Sequence, residues 1–204
     1  MTARAKRGTL TDWWWSVDRW FLAAFLVLMI GGLVLSFAAS PPVAEKIGLE
    51  PFHFVKRHAV FLLPSIAVMI LTSMLSLRGI RRASLLILGG AIVLMIFALF
   101  FGVEVKGARR WVELGPISLQ PSEFMKPAFV VICAWLFAEK ARRPDIPGNL
   151  FAIILLFVVC ALLVAQPDLG QTILTAGAWG GLFFMAGMPW LWIAGLGEIG
   201  RAHV

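Results

Sequence analysis

Six long apolar runs, at residues 20–39, 59–77, 83–102, 123–138, 149–166 and 170–187, leave this chain few ways to fold. Each approaches the roughly 20 apolar residues that cross a bilayer as a helix. A seventh run begins near residue 188. Hydrocarbon offers the backbone no hydrogen-bond partner, so runs of this length predict α-helices that satisfy their own amides. The fold class that follows is all-α: a polytopic transmembrane helix bundle with about six complete spans and the start of a seventh. Composition agrees, since 60% of the residues are hydrophobic and 14% charged, against about 25% charged in soluble domains. Residues 1–19 read as a cytoplasmic or interfacial N-terminus. Trp13, Trp14, Trp15 and Trp20 surround Asp18 and Arg19 there, a pattern suited to a short helix in the headgroup layer.

The net charge of +7 does not point to nucleic acid, because most basic residues flank apolar runs. No nucleic-acid partner is expected. With the N-terminus cytoplasmic, the larger share of the 18 lysines and arginines falls on the cytoplasmic side, in the N-terminal segment and in the linkers 76–82 and 139–148. That orientation leaves Lys106, Arg109, Arg110 and Lys126 on the outer side, where topology does not call for them. The proline-broken segment 40–58 is expected to be a surface loop with one short interfacial helix, and His58 is given no chemistry. Cys133 and Cys160 lie inside apolar runs and read as buried free thiols.

Two segments depart from the apolar pattern. In "EVKGARRWVELGPISLQPSEFMKP", Pro121 blocks helix upstream, Ser122 is the expected N-cap and Glu123 falls in the first turn. Glu123 and Lys126 then share one helical face, either as a self-neutralising pair or in a polar cavity, and Pro127 should disturb the first turns. Arg109 and Arg110 suit either a solvated loop or an anion site, since guanidinium binds phosphate in a bidentate fork. Trp111 is an interfacial anchor or a stacking platform. In "VAQPDLGQTIL", Asp168 beside Pro167 is a helix cap, a partner for a basic residue, or a weak divalent-cation ligand. A divalent cation is therefore one candidate cofactor, and the metal question stays open at this point. No Walker A loop, Rossmann glycine fingerprint or His/Cys metal set occurs, so ATP-driven and nicotinamide-dependent chemistry find no support.

"KGARRWVELGPISLQPSEFMK" followed by "AQPDLGQ" closely resembles the SEDS family, the membrane proteins FtsW, RodA and SpoVE, over residues 13 to about 197. The tryptophan-rich start and the 40–58 segment resemble the division branch of alphaproteobacteria more than the elongation branch. The resemblance implies a peptidoglycan glycosyltransferase of the inner membrane, active at the division septum. Its substrate would be lipid II, the undecaprenyl-pyrophosphate-linked disaccharide-peptide. A class B penicillin-binding protein that crosslinks the strands and other divisome membrane proteins would be its partners. The family's Arg–Trp loop falls on Arg109, Arg110 and Trp111, preceded by Lys106. Its "QPSE…K" segment falls on Gln120, Pro121, Ser122, Glu123 and Lys126, and its "QPDLG" turn on Gln166 to Gly170. These imply a substrate-binding set of Lys106, Arg109, Arg110, Trp111, Gln120, Ser122, Glu123, Lys126, Gln166 and Asp168.

No catalytic residue is assigned. The family has about ten spans, and its catalytic aspartate lies in a large outer loop after the seventh, so the chain by itself is expected to be inactive. Residues 20–197 correspond to the N-terminal part of the family's transmembrane domain. Residues 198–204, "EIGRAHV", read as the translation of a sequencing adapter and are expected to be a non-native tail. Two other functions fit a polar cavity: a lipid II flippase or transporter, and a non-enzymatic divisome scaffold that recruits the penicillin-binding protein.

Overall fold

The computed structural model describes residues 9–105, 107–114 and 117–187. Six long helices fall on the six predicted runs, and the chain divides into two compact units, Met1–Ser76 and Leu77–Val204. The expected seventh span and the suspected tail lie outside the described residues.

The first unit holds α1 (Thr9–Ser16), α2 (Arg19–Lys46) and α3 (His53–Ser73). Asp18 caps α2, its Oδ1 accepting from the amides of Trp20 at 2.9 Å and Phe21 at 3.2 Å. The Arg19 guanidinium lies over the rings of Trp14 and Trp15, as an interfacial aromatic cluster permits. Two hydrogen bonds tie α3 to the rest of the unit. Trp13 Nε1 donates to Ser73 Oγ at 2.9 Å, and His58 Nδ1 lies 2.7 Å from Ser36 Oγ. Gly32 faces this ring, where a Cβ would lie in ordinary van der Waals contact, 3.5 Å from it.

The expected loop over 40–58 is shorter than predicted. Helix α2 continues through Pro41 and Pro42 to Lys46. The two prolines remove only two amide donors, and the extension is fixed by packing. Ser40 Oγ donates to the Pro51 carbonyl at 2.8 Å, and Leu49 N donates to the Ala44 carbonyl at 2.9 Å. Ser40 and Ala44 are buried. The exposed Glu50 carboxyl sits below its usual range because Lys56 hydrogen-bonds to it.

The second unit holds α4 (Leu77–Phe101), β1 (Val103–Val105), β2 (Ala108–Leu114), β3 (Ile117–Leu119), α5 (Pro121–Arg142), α6 (Gly148–Ala165) and α7 (Leu169–Met185). Helix α5 is central and packs against α4, α6 and α7. Met125, Phe129, Ile132, Cys133 and Phe137 recur at helical spacing along its buried face. They meet Leu88, Ala91 and Met95 of α4, Ala152, Val159 and Leu163 of α6, and Trp179 and Phe183 of α7. Phe137 packs edge-on to both Trp179 and Phe183, and Trp179 Nε1 donates to the Ala152 carbonyl at 3.2 Å. Leu85, Leu86, Val93, Phe100 and Phe101 of α4 are exposed, as a helix that faces lipid permits.

Four helices, α2, α3, α4 and α6, are long and apolar enough to cross a membrane. Helix α5 carries Glu123 and Lys126 in its first two turns, and α7 has 17 residues. The linker expected over 76–82 is the start of α4 instead. The segment between α4 and α5, expected to be loop, forms a three-stranded antiparallel meander in the order β1-β2-β3. Gly107, at φ +77°, makes the turn between β1 and β2. The N-cap of α5 is Gln120, not Ser122, because Pro121 occupies the first helical position, where its missing amide costs nothing.

Gly148 opens α6 at a point of backbone contact. A Cβ there would meet the Leu136 carbonyl oxygen of α5 at 2.3 Å. Gly148→Ala should therefore lower stability by about 1–3 kcal/mol, read as a lower unfolding midpoint in detergent; an unchanged midpoint would refute the close approach.

Candidate functional site

The C-terminal ends of α4 and α6 and the N-terminal ends of α5 and α7 come together at one end of the second unit. The meander lies across them, with β2 against α4 and α5. Two polar residues of the turn between α6 and α7 tie these parts together. Gln166, 2% exposed, donates from Nε2 to the Met95 carbonyl of α4 at 3.0 Å. Asp168 caps α7, its Oδ1 accepting from the Gln171 amide at 3.4 Å. Its Oδ2 accepts from an Arg110 terminal nitrogen at 3.0 Å. The side chains of Arg110 and Asp168 are 29% and 9% exposed. The cap and the ion-pair readings of Asp168 are therefore both realised, by different oxygens of one carboxylate.

Arg110 reaches this partner from a bulge in the sheet. Val105 pairs with Ala108 and Glu104 with Arg109, but Val103 pairs with Trp111, so Arg110 is the extra residue on β2. A bulge redirects a side chain and increases the local twist. Ala108 and Val112 on either side are buried. Arg109 takes another course: its Nε lies 3.6 Å from Glu104 Oε2, with half of its side chain exposed. A pair of this length and exposure contributes little to stability. Trp111 is partly buried on β2.

Lys126 lies at the centre of a second polar group. Its Nζ donates to Glu123 Oε1 at 2.9 Å and to Gln171 Oε1 at 2.7 Å, while Gln171 Nε2 lies 3.5 Å from the same Glu123 oxygen. The expected pairing of Glu123 with Lys126 is present, and α7 contributes to it. Gln171 was missed in the sequence. Its only signal is position, three residues after Asp168 and so in the first turn of the helix that Asp168 caps. Gln120 Nε2 donates to the buried Ser122 Oγ at 3.1 Å. Lys106 lies outside the described residues.

Beside Lys126 a cleft of about 220 Å³ opens between α5 and α7, lined by Pro127, Phe129, Leu174 and Thr175. Thr175 is buried, and its hydroxyl has no hydrogen-bond partner. The region thus holds three ion pairs among the described residues: Arg109 with Glu104, Arg110 with Asp168, and Lys126 with Glu123. The amino ends of α5 and α7 add positive dipole character. The carboxylates do not converge on each other, and among the described residues no three His, Cys, Asp or Glu side chains are grouped to hold a metal ion.

Comparison with known proteins gives a consistent result. A family profile described as "Cell cycle protein", of FtsW, RodA and SpoVE, matches residues 18–203. A protein of Caulobacter vibrioides named "Probable peptidoglycan glycosyltransferase FtsW" is 48% identical over 201 residues, which are 98% of this chain and 52% of that protein. A protein of Idiomarina loihiensis with the same name is 33% identical, over 83% of this chain and 42% of its own length. The chain thus spans about half the length of these relatives. A solved peptidoglycan synthase complex, described as coordinating polymerization and crosslinking, contains a chain that superposes with a TM-score of 0.64 at 26% identity. That match covers 84% of this chain and 52% of the other. The rod shape determining protein RodA of Thermus thermophilus gives a TM-score of 0.60 at 28% identity, over 85% of this chain and 59% of its own. The helical architecture and the paired cations over two helix starts have their place in that setting: the chain is a multi-pass membrane protein and belongs to the FtsW, RodA and SpoVE family of cell cycle proteins.

Proposed function

We propose that this chain forms the substrate-handling wall of a peptidoglycan glycosyltransferase that polymerises lipid II during septal wall synthesis. The observation that carries the reading is the meeting of Arg110 and Lys126 with the amino ends of α5 and α7, through Asp168, Glu123 and Gln171. Polymerisation transfers a glycosyl group from a lipid pyrophosphate to a sugar hydroxyl, and pyrophosphate leaves with growing negative charge. Fixed cations and helix amino ends lower the free energy of such a leaving group. Arg109, exposed and weakly paired, is the residue freest to reach the phosphates. Arg110 and Lys126 exchange their carboxylate partners for phosphate oxygens as substrate enters. Lys106, Trp111, Gln120, Ser122 and Gln166 complete the set, Gln166 as the strut that positions the α6–α7 turn. Asp168 is committed to its cap and its arginine and is not the catalytic base.

The orientation that supports this role has the N-terminus in the cytoplasm and the site on the outer face of the inner membrane. It rests on the bias of basic residues. The names of the similar proteins support the reaction, and the synthase complex supports a crosslinking penicillin-binding protein as partner.

Two tests follow, both on the full-length protein reconstituted with lipid II and its penicillin-binding partner. Lys126→Ala and Arg109→Ala should each lower glycan-strand formation, Lys126→Ala by about 100-fold; undiminished product in both variants overturns the role. Lipid II translocation without polymerisation would favour a flippase. Separately, Arg110→Ala leaves Asp168 buried without its cation and should lower stability by about 1–3 kcal/mol, allowing for partial exposure. Adding Asp168→Asn, which removes the charge and keeps an oxygen for the cap, should recover much of that stability but none of the polymerisation, a split that separates the structural from the substrate-binding part of the pair.

A further inference from the structure

The second unit carries another basic cluster, at the end away from the site. Arg78, Arg81 and Arg82 lie in the first two turns of α4, and Lys140, Arg142 and Arg143 close α5. The antiparallel packing of α4 on α5 brings them together. Arg81 lies over the ring of Trp135 at 4.8 Å, and α6 starts against Leu136 and Lys140 through Gly148. Two of these cations are already engaged. Lys140 Nζ donates to the Pro144 carbonyl, and Arg143 Nε lies 3.5 Å from Glu139. Among the described residues, Arg78, Arg81, Arg82 and Arg142 have no carboxylate within ion-pair distance.

Topology alone asks for charge at such a position, and any exposed lysine would serve. It does not ask for a guanidinium stacked on a tryptophan. Nor does it ask for the second feature here, the buried Trp135 Nε1, which has no acceptor among the described residues. An indole N–H can only donate. Arg81 and Trp135 therefore offer neighbouring donors that a single acceptor group could satisfy, once the partly buried guanidinium moves off the ring face. The planar fork of arginine favours phosphate. Exposed Leu85 and Leu86 follow along α4 within about a turn of Arg81, where an acyl chain running down from that phosphate would lie.

We propose that Arg81 and Trp135, flanked by Arg78 and Arg142, form a binding site for the phosphate headgroup of an anionic phospholipid at the end of the bundle opposite the lipid II-handling site. The same chemistry would take a soluble phosphate. The exposed apolar surface beside it favours the lipid.

Native mass spectrometry of the full chain in detergent, titrated with phosphatidylglycerol, phosphatidylcholine or inorganic phosphate, tests this. Phosphatidylglycerol should be retained in preference to phosphatidylcholine. Arg81→Gln should weaken its retention about fivefold, and Trp135→Phe, which keeps the ring and loses the N–H, should weaken it as well. Arg82→Gln removes the same charge from an exposed neighbour and should have a clearly smaller effect. Equal losses from Arg81→Gln and Arg82→Gln would reduce the cluster to diffuse charge and overturn the site. Equal retention of the two lipids, or displacement of phosphatidylglycerol by inorganic phosphate, would overturn the lipid assignment. Arg81→Lys, which keeps the charge without the fork, provides the same comparison if Arg81→Gln does not fold, and retention equal to the parent would count against the site.

Discussion

The carboxylate of Asp168 is held from two sides, by an amide at the start of α7 and by the guanidinium of Arg110. A nearly buried carboxylate is tolerated only when it is paired and hydrogen-bonded, so the sheet and the helix end hold each other in place. The same short turn makes two more cross-links, Gln166 to the Met95 carbonyl and Gln171 to Lys126. One stretch of the chain is thereby fixed to α4, β2 and α5 together. The site depends on this stitching, because no single helix carries enough of it to act alone.

The cations come already neutralised. Arg109, Arg110 and Lys126 each have a carboxylate within ion-pair distance, which limits the cost of keeping them near the membrane. The arrangement also sets a threshold for ligands. In the proposed role, an incoming anion has to match the charge and the geometry that the carboxylates give up, which suits a pyrophosphate better than a single weak charge. The cations differ in exposure, with Arg109 half exposed and Lys126 at 20%.

The helices were legible in the sequence because length and apolarity have few solutions in a bilayer. Their ends were less so. Pro41 and Pro42 read as a break, yet α2 runs through them because Ser40 and Ala44 are held by the turn that follows. The meander was not legible at all. Strands of three residues carry almost no periodic signal, and their pairing is a contact between segments rather than a property of either. Of the three readings left open at Asp168, geometry realises the cap and the ion pair, on different oxygens. Gln171 was passed over because a glutamine one turn into a helix is ordinary; its role exists only once α5 lies beside α7.

What the sequence determined by itself is the all-α class with its six apolar helices, the family, and the two polar segments where chemistry is concentrated. Those follow from local properties: transfer free energy, helix-start grammar and motif. Only the tertiary structure decided which charge meets which. Arg109 and Arg110 are adjacent and chemically identical, yet a one-residue bulge sends the second to Asp168 and leaves the first beside Glu104 at the surface. The direction of a side chain on a strand depends on register, and register is fixed by the partner strand and the helices beneath it.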